Sequence, residues 1–453
     1  MTRSYNPPAD RYWTAPTALR NNGCSFTWVS QLPPTAMHVL VIGAGVIGLA
    51  AAWYLRADGH QVTVVERNQD VGLETSFANG GQLSYSYVAP LAGPGVLSKL
   101  PGWLLRHDSP VRFRPSADPE QWRWLLQFVR ACTLEQSEAC TRKLLSLSFF
   151  SRDLMHELLV HEPDIRFEHA NAGKLVVYRT DAAFDAACRL LDYQRSLGCE
   201  QDALDAKACI AREPALAHLG SQLCGGIFTA SEDSGDCYQF CVSMMQLLRE
   251  RGVGFRFGTA VTQLREVSAQ RVAAYAGEER LDADHIVLAN AAPSVPLLRA
   301  LGIRVPLYPL KGYSLTAPVV ADAAAPRISI TDFERKIVYA RLGNRLRIAG
   351  MADITGRLAD IDLKRVATLR AQSTATFPGA VDFDTAAVWC GLRPATPKSM
   401  PVIDGTRFAN LWLNLGQGAL GFTLALASGR LIGDLVARRE PAIALDGFGL
   451  RSM

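Results

Sequence analysis

MHVLVIGAGVIGLAAAWYLRADGHQVTVVER, residues 37–67, reads as a strand (38–42), a glycine-rich turn, a helix (about 46–58) and a second strand (61–66). The first strand is an unbroken apolar run, as in a parallel sheet buried on both faces. A βαβ unit with a right-handed crossover follows. In the turn, Gly43, Gly45 and Gly48 stand in GxGxxG spacing. The first glycine permits the tight turn, the second lets the backbone approach a diphosphate, and the third lets helix and strand pack closely. Exposed amides and the helix dipole then favour phosphate. Glu66 ends the second strand 23 residues after Gly43, where a carboxylate can accept both ribose hydroxyls and repel a 2′-phosphate. Gly43, Ala44, Gly45, Val46, Ile47, Gly48, Glu66 and Arg67 are the candidate nucleotide-binding positions. The plainer alternative is a structural glycine turn beside a surface glutamate.

The rest of the composition fits such a domain. At roughly 100 to 200 residues per domain, 453 residues allow two or three domains. With 49% hydrophobic and 20% charged residues the chain is globular, and a net charge of +4 argues against a nucleic-acid partner. The ten cysteines form no CxxC pair and no Cys/His cluster at metal spacing, so no metal is expected and they read as reduced cytosolic thiols. No basic stretch followed by an apolar core opens the chain, and the expected location is the cytoplasm. The uncharged runs 39–55 and 409–428 resemble membrane spans. Each is nevertheless broken by glycines between an apolar strand and an apolar helix, which favours a soluble core.

The fold expected is α/β: a Rossmann-like domain with a discontinuous second domain, mainly antiparallel β. Residues 1–36 lack periodicity and read as a loose N-terminal extension outside the fold. The expected division assigns 37–88, 135–164, 233–295 and 385–453 to the nucleotide domain. It assigns 89–134, 165–232 and 296–384 to the substrate domain. The stretch 165–180 reads as two strands joined by a turn at Asn171 and Gly173, and 305–350 as further strands. No internal repeat is visible.

Two further segments decide the cofactor. ETSFANGGQL packs Thr75, Ser76, Asn79, Gly80, Gly81 and Gln82 into a loop soon after Glu66, where small residues and free amides can contact flavin oxygens and phosphates. LNLGQGALGFTLA places Gly416, Gln417, Gly418, Ala419, Leu420 and Gly421 between a strand and a helix, where amides can stabilise charge on a reduced flavin. Read alone, each segment can equally be a polar or glycine-rich structural turn.

Together with YPLKGYSLT and WCGLRPATP, these segments resemble the D-amino-acid dehydrogenase family, within the D-amino acid oxidase/glycine oxidase superfamily, over about residues 37–447. The resemblance implies FAD, a Rossmann-like flavin domain and an antiparallel sheet over the flavin's reactive face. It matches Gly43, Gly45, Gly48, Glu66, Thr75 and Ser76 to FAD-binding positions and Arg393 to a carboxylate-binding arginine; Gly391 is counted with the cofactor residues. One departure is Gln417, where relatives often carry His. The implied reaction is oxidative deamination of D-amino acids to 2-oxo acids and ammonia by hydride transfer to flavin. The implied electron acceptor is not oxygen but a quinone or the respiratory chain.

On the substrate side, Arg393 lies between an apolar run and a proline-flanked turn. Its planar, permanently charged guanidinium can hold a carboxylate through two parallel bonds. As an isolated residue it reads more simply as structural or exposed; the motif match reverses that. Lys311 and Tyr339 are weaker catalytic candidates, one for stabilising a developing anion and the other for a substrate hydrogen bond or lid. The eight histidines form no triad-like grouping, and none is needed if positioning outweighs a strong base. Two rivals stand beside this reading. One is an oxidase or dehydrogenase for glycine, sarcosine, proline or hydroxyproline, and the other a noncatalytic flavin-binding subunit. Finally, Trp103, Leu104 and Leu105 beside Arg106, Arg112 and Arg114 suit peripheral contact with the cytoplasmic face of the inner membrane.

Overall fold

The nucleotide-binding sheet has six strands in the order Val402–Gly405, Leu411–Leu415, His285–Leu288, His38–Ile42, Gln61–Val65 and Gly254–Arg256, parallel except for the first pair. The structure is a computed structural model and describes residues 36–97, 109–356 and 360–452. The expected loose segment lies, up to residue 35, outside the described residues, as do Trp103, Leu104, Leu105 and Arg106. Val39 and Val41 of the central strand are wholly buried, as the continuous apolar run requires. The crossover helix Val46–Ala57 packs on the C-terminal helix Gly421–Val436. Their contact is close enough that a Cβ on Gly429 would come within 2.5 Å of the Ala50 backbone. That burial explains the apolar run at 418–436: it is long enough to cross a membrane, yet 72% of it lies inside the protein.

The second sheet has nine strands and is mainly antiparallel. Its order runs Ala387–Ala395, Tyr308–Pro318, Arg345–Ile354, Ile337–Leu342, Ser329–Asp332, Lys174–Tyr178, Gly225–Thr229 and Asp202–Asp205, with Val111–Phe113 added beside Arg345–Ile354. One face carries Leu315, Ile337, Tyr339 and Ile348 into an apolar core shared with Leu369 of the helix Leu363–Thr376. The other face meets the loop that follows Glu66. Ser314 Oγ donates to Ala78 O at 2.7 Å, and Arg347 Nη1 donates to Asn79 O at 2.7 Å.

Two expectations are corrected. The strand Ala387–Ala395 was grouped with the nucleotide domain by the boundary at 385, but it pairs along nine positions with Tyr308–Pro318 and forms the edge of the second sheet. Pro394 is tolerated there because an edge strand can spare an amide. The stretch 165–180 contains one strand, Lys174–Tyr178, with a single isolated bridge at Ala170 before it. Phe167 turns instead into the nucleotide-domain core against Phe240 and Phe422, and left-handed backbone at Glu168 and Gly173 breaks the ladder.

Candidate active site

The turn after the first strand is shaped by contacts that only glycine permits. Gly43 has φ +108°, and a Cβ there would lie 2.8 Å from Ala289 O. A Cβ on Gly48 would lie 1.8 Å from Gly43 O, so the helix seats directly on the turn. Glu66 is buried, and its carboxylate is held from two sides. Oε2 accepts from Ala44 N at 2.8 Å, and Oε1 accepts from the Asn68 amide and side chain, both at 2.9 Å. Val46 N donates to Ser76 Oγ at 3.1 Å, which draws the second loop against the start of the helix. Ile47 follows within that first turn. Arg67 points outward and pairs with Glu74 across an exposed surface. These residues fit an adenosine diphosphate moiety: the turn leaves no side chain in the way of a diphosphate, and a fixed carboxylate stands at the strand end.

Three segments far apart in sequence converge on the strand Ala387–Ala395. Thr75 Oγ1 donates to Leu392 O at 2.9 Å. Gln417 forms a bridge with Ala395 and donates from Nε2 to Asn414 Oδ1 at 2.6 Å. Between those anchors, Arg393 lies directly opposite Leu310. Gly416 and Gly418 both take positive φ in the turn, and a 3₁₀ turn, Gly418–Leu420, including Ala419, leads into the helix that begins at Gly421. In the second loop, Asn79 Oδ1 accepts from Gly81 N at 3.1 Å, and Gln82 Nε2 ties the loop to Ile330 O at 3.2 Å. A Cβ on Gly80 would be 3.0 Å from Val338, so this loop lies close against the sheet.

The guanidinium of Arg393 rests on bare backbone. A Cβ on Gly312 would lie 2.3 to 2.6 Å from three of its atoms. Residues directly opposite in an antiparallel ladder share a face, so Arg393, Leu310, Gly312 and Gly391 stand together, with the indole of Trp389 folded over Gly391. Nη1 donates to Met351 O at 2.8 Å. Among the described residues no carboxylate lies within ion-pair distance of Arg393. Burial pulls its pKa below the ordinary value, and the nearby charge of Asp353 only partly opposes this. A half-buried guanidinium with one carbonyl partner among the described residues retains donors for an arriving anion.

Lys311 and Tyr339 do not join this group. Lys311 alternates with Gly312 and so faces the other side of the sheet, where its ammonium pairs with Asp360. Tyr339 is fully buried on that same side, edge-on to Phe377 with ring centroids 4.9 Å apart, and burial pushes its pKa up to about 12. Strand periodicity decides both cases: a one-residue offset moves a side chain to the opposite face. Three residues escaped the sequence reading, namely Gly312, Trp389 and Met351. Glycines inside the strand-like runs LKGYSL and WCGLRP were a usable signal, because a glycine within a strand often marks close approach of another group. Met351 gave none.

Residues 38–435 match the FAD-dependent oxidoreductase family. A D-amino acid dehydrogenase 2 from Ralstonia nicotianae is 49% identical over 427 residues, covering 91% of this chain and 100% of that protein. One of the same name from Pseudomonas aeruginosa is 46% identical, covering 91% and 98%. Among solved structures, glycine oxidase from Geobacillus kaustophilus superposes with a TM-score of 0.72 at 20% identity, covering 92% of this chain and 99% of that one. L-proline dehydrogenase from P. horikoshii gives 0.71 at 13% identity, covering 92% and 98%. The cofactor is therefore FAD, and the chain belongs to the FAD-dependent oxidoreductase family, alongside its D-amino acid dehydrogenases.

Proposed function

We propose that the protein oxidises D-amino acids to 2-oxo acids and ammonia and passes the electrons to a quinone of the respiratory chain. The observation that carries the substrate class is Arg393: a half-buried cation without a carboxylate partner among the described residues, on the strand where the two candidate flavin-binding turns converge. The names of the relatives at 46 to 49% identity support the D configuration.

Bound FAD supplies a two-electron acceptor for hydride. The chain's own residues bind and aim the substrate. Arg393 takes the carboxylate through its fork, while Met351 O holds one N–H and fixes the guanidinium plane. Gly312 lets the guanidinium lie on bare backbone and Gly391 makes room for the Trp389 indole beside it, so the clamp is seated close to the sheet. Holding the carboxylate restricts the α-carbon to a small set of orientations, the main source of rate when no strong base is required. The α-hydrogen leaves with its electron pair, the amine proton passes to water, and the resulting imino acid hydrolyses. Lys311 and Tyr339 have no part in this reading. The turn residues Gly416 to Gly421, Gln417 among them, would hold the edge of the bound flavin with their amides.

Anaerobic bleaching of the bound flavin by a panel of D- and L-amino acids and N-methyl amines tests this. Rapid bleaching by D-amino acids is expected. Bleaching by sarcosine or L-proline alone would move the protein to the other branch of the superfamily.

A further inference from the structure

We infer that Asp353 is a positioning residue for the carboxylate clamp: from the opposite face of the sheet it locks the register that turns the Met351 carbonyl toward Arg393. The inference rests on the reading of Arg393 as the clamp and adds a residue that acts only through the strand. Between Lys311, paired with Asp353, and Tyr313, paired with Gly350, the strand Arg345–Ile354 carries one residue too many. Sliding that strand by one position past Gly312 would restore regular pairing, and it would also carry Asp353 to the other face. There its carboxylate would stand on the side of Arg393 and take up the donors meant for a substrate.

A buried ion cluster forbids the slip. Asp353 is fully buried and accepts from Arg112 Nη2 at 2.5 Å, Arg365 Nη2 at 2.7 Å and Tyr313 OH at 3.3 Å. Each donor comes from a different element. Arg112 lies on Val111–Phe113, where it pairs in register with Asp353 while Ala352 N donates to Pro110 O at 2.8 Å. Arg365 lies on the helix Leu363–Thr376, and its Nη1 donates to Ser109 O at 2.6 Å. Arg112 also reaches Asp362 Oδ2 at 2.6 Å, and Asp362 caps that helix through Lys364 N. Three segments therefore hold one carboxylate on the face that Lys311 occupies, away from Arg393. Across the sheet its charge still acts on the Arg393 guanidinium, opposing the effect of burial there.

Stability alone does not account for the arrangement. Taking a carboxylate and two guanidinium groups out of water costs much of what their attraction returns, so such a cluster is a poor source of stability and a good source of register. Arg112 Nε and Arg365 Nε are buried with no hydrogen-bond partner among the described residues, which adds to that cost. The register selected is the one in which Arg393 keeps its donors free.

The test is a double-mutant cycle on FAD-loaded full-length protein: wild type, Asp353→Asn, Arg393→Leu and the two combined. Two quantities are read, anaerobic flavin reduction by a D-amino acid after rapid mixing and the benzoate dissociation constant, which needs no turnover. Asp353→Asn should lower the apparent second-order rate constant about tenfold and raise the benzoate constant in parallel, with the limiting rate at saturating substrate within about threefold of wild type. In the Arg393→Leu background the same substitution should change the rate constant less than about twofold, because the clamp it positions is gone. Losses that multiply in the combined variant would overturn the inference, as would wild-type benzoate affinity in Asp353→Asn. Should Asp353→Asn lose its flavin, Arg112→Gln at the more exposed end of the cluster carries the test. It should weaken benzoate binding about threefold or more, and unchanged affinity there would equally overturn the inference. A slow Arg393→Leu beside an unimpaired Asp353→Asn removes Asp353 alone, whereas a wild-type rate in Arg393→Leu removes the clamp and this inference with it.

Discussion

Met351 O accepts a hydrogen bond from Arg393 Nη1 at 2.8 Å, and it does so from a left-handed backbone, φ +66°. Register explains the geometry. Lys311 pairs with Asp353 and Tyr313 with Gly350, so Gly312 alone faces both Met351 and Ala352. This bulge turns the Met351 carbonyl toward the guanidinium, which itself lies over Gly312. The strained residue, the bare glycine and the half-buried cation form one arrangement.

Met351→Val should therefore weaken carboxylate binding, because a β-branched residue strongly disfavours positive φ. Met351→Gly keeps the backbone conformation while losing buried side-chain volume, which should cost about 2 to 5 kcal/mol of stability. The check is the dissociation constant of benzoate, read from perturbation of the flavin spectrum. It should rise at least tenfold in Met351→Val and about threefold or less in Met351→Gly. The reverse order would remove Met351 from any positioning role.

Gly48→Ala should cost the protein its cofactor, since the added Cβ would sit 1.8 Å from Gly43 O and backbone cannot yield as a flexible side chain can. The ratio of flavin to protein absorbance after purification is expected to fall severalfold. Full occupancy in that variant would contradict the assignment of the turn.

Lys311→Met should leave kcat/KM within about threefold of wild type. Its ammonium faces away from Arg393 and pairs with the largely exposed Asp360, a contact worth about 1 kcal/mol at most. A hundredfold loss in steady-state turnover would return Lys311 to the active site.

The nucleotide half was legible because its signals are local. The spacing of Gly43, Gly45 and Gly48 and the strand-ending Glu66 fix a turn and a carboxylate within one βαβ unit. Arg393 was legible as a motif, but its surroundings were not. Its face is set by pairing with Leu310, 83 residues earlier, and the bulge at Met351 has no composition of its own. Lys311 and Tyr339 mislead for the same reason: type and proximity in sequence say nothing of which side of a strand a residue occupies.

Lys174 gives a pH prediction. It is buried against Ser84 Oγ at 2.7 Å, and burial lowers its pKa to about 8, with Glu232 pulling the other way. The unfolded chain holds the proton up to about 10.4, so it binds more protons than the folded protein between those values, and this group's contribution to stability rises with pH there. Wild type should gain in Tm relative to Lys174→Met between pH 8 and 10. A gap that moves the opposite way would mean that Glu232 holds the ammonium charged throughout.

The central claim is that Arg393 is the carboxylate clamp, and rapid-mixing anaerobic reduction of the bound flavin by a D-amino acid tests it most directly. Removing one side of a buried, bidentate charge pair should cost roughly 3 to 5 kcal/mol, or about two to four orders of magnitude in the apparent second-order rate constant. Arg393→Leu is expected to stay yellow and folded yet reduce at least a hundredfold more slowly, with Arg393→Lys recovering only part of the loss. Flavin reduction at the wild-type rate in Arg393→Leu would contradict the account.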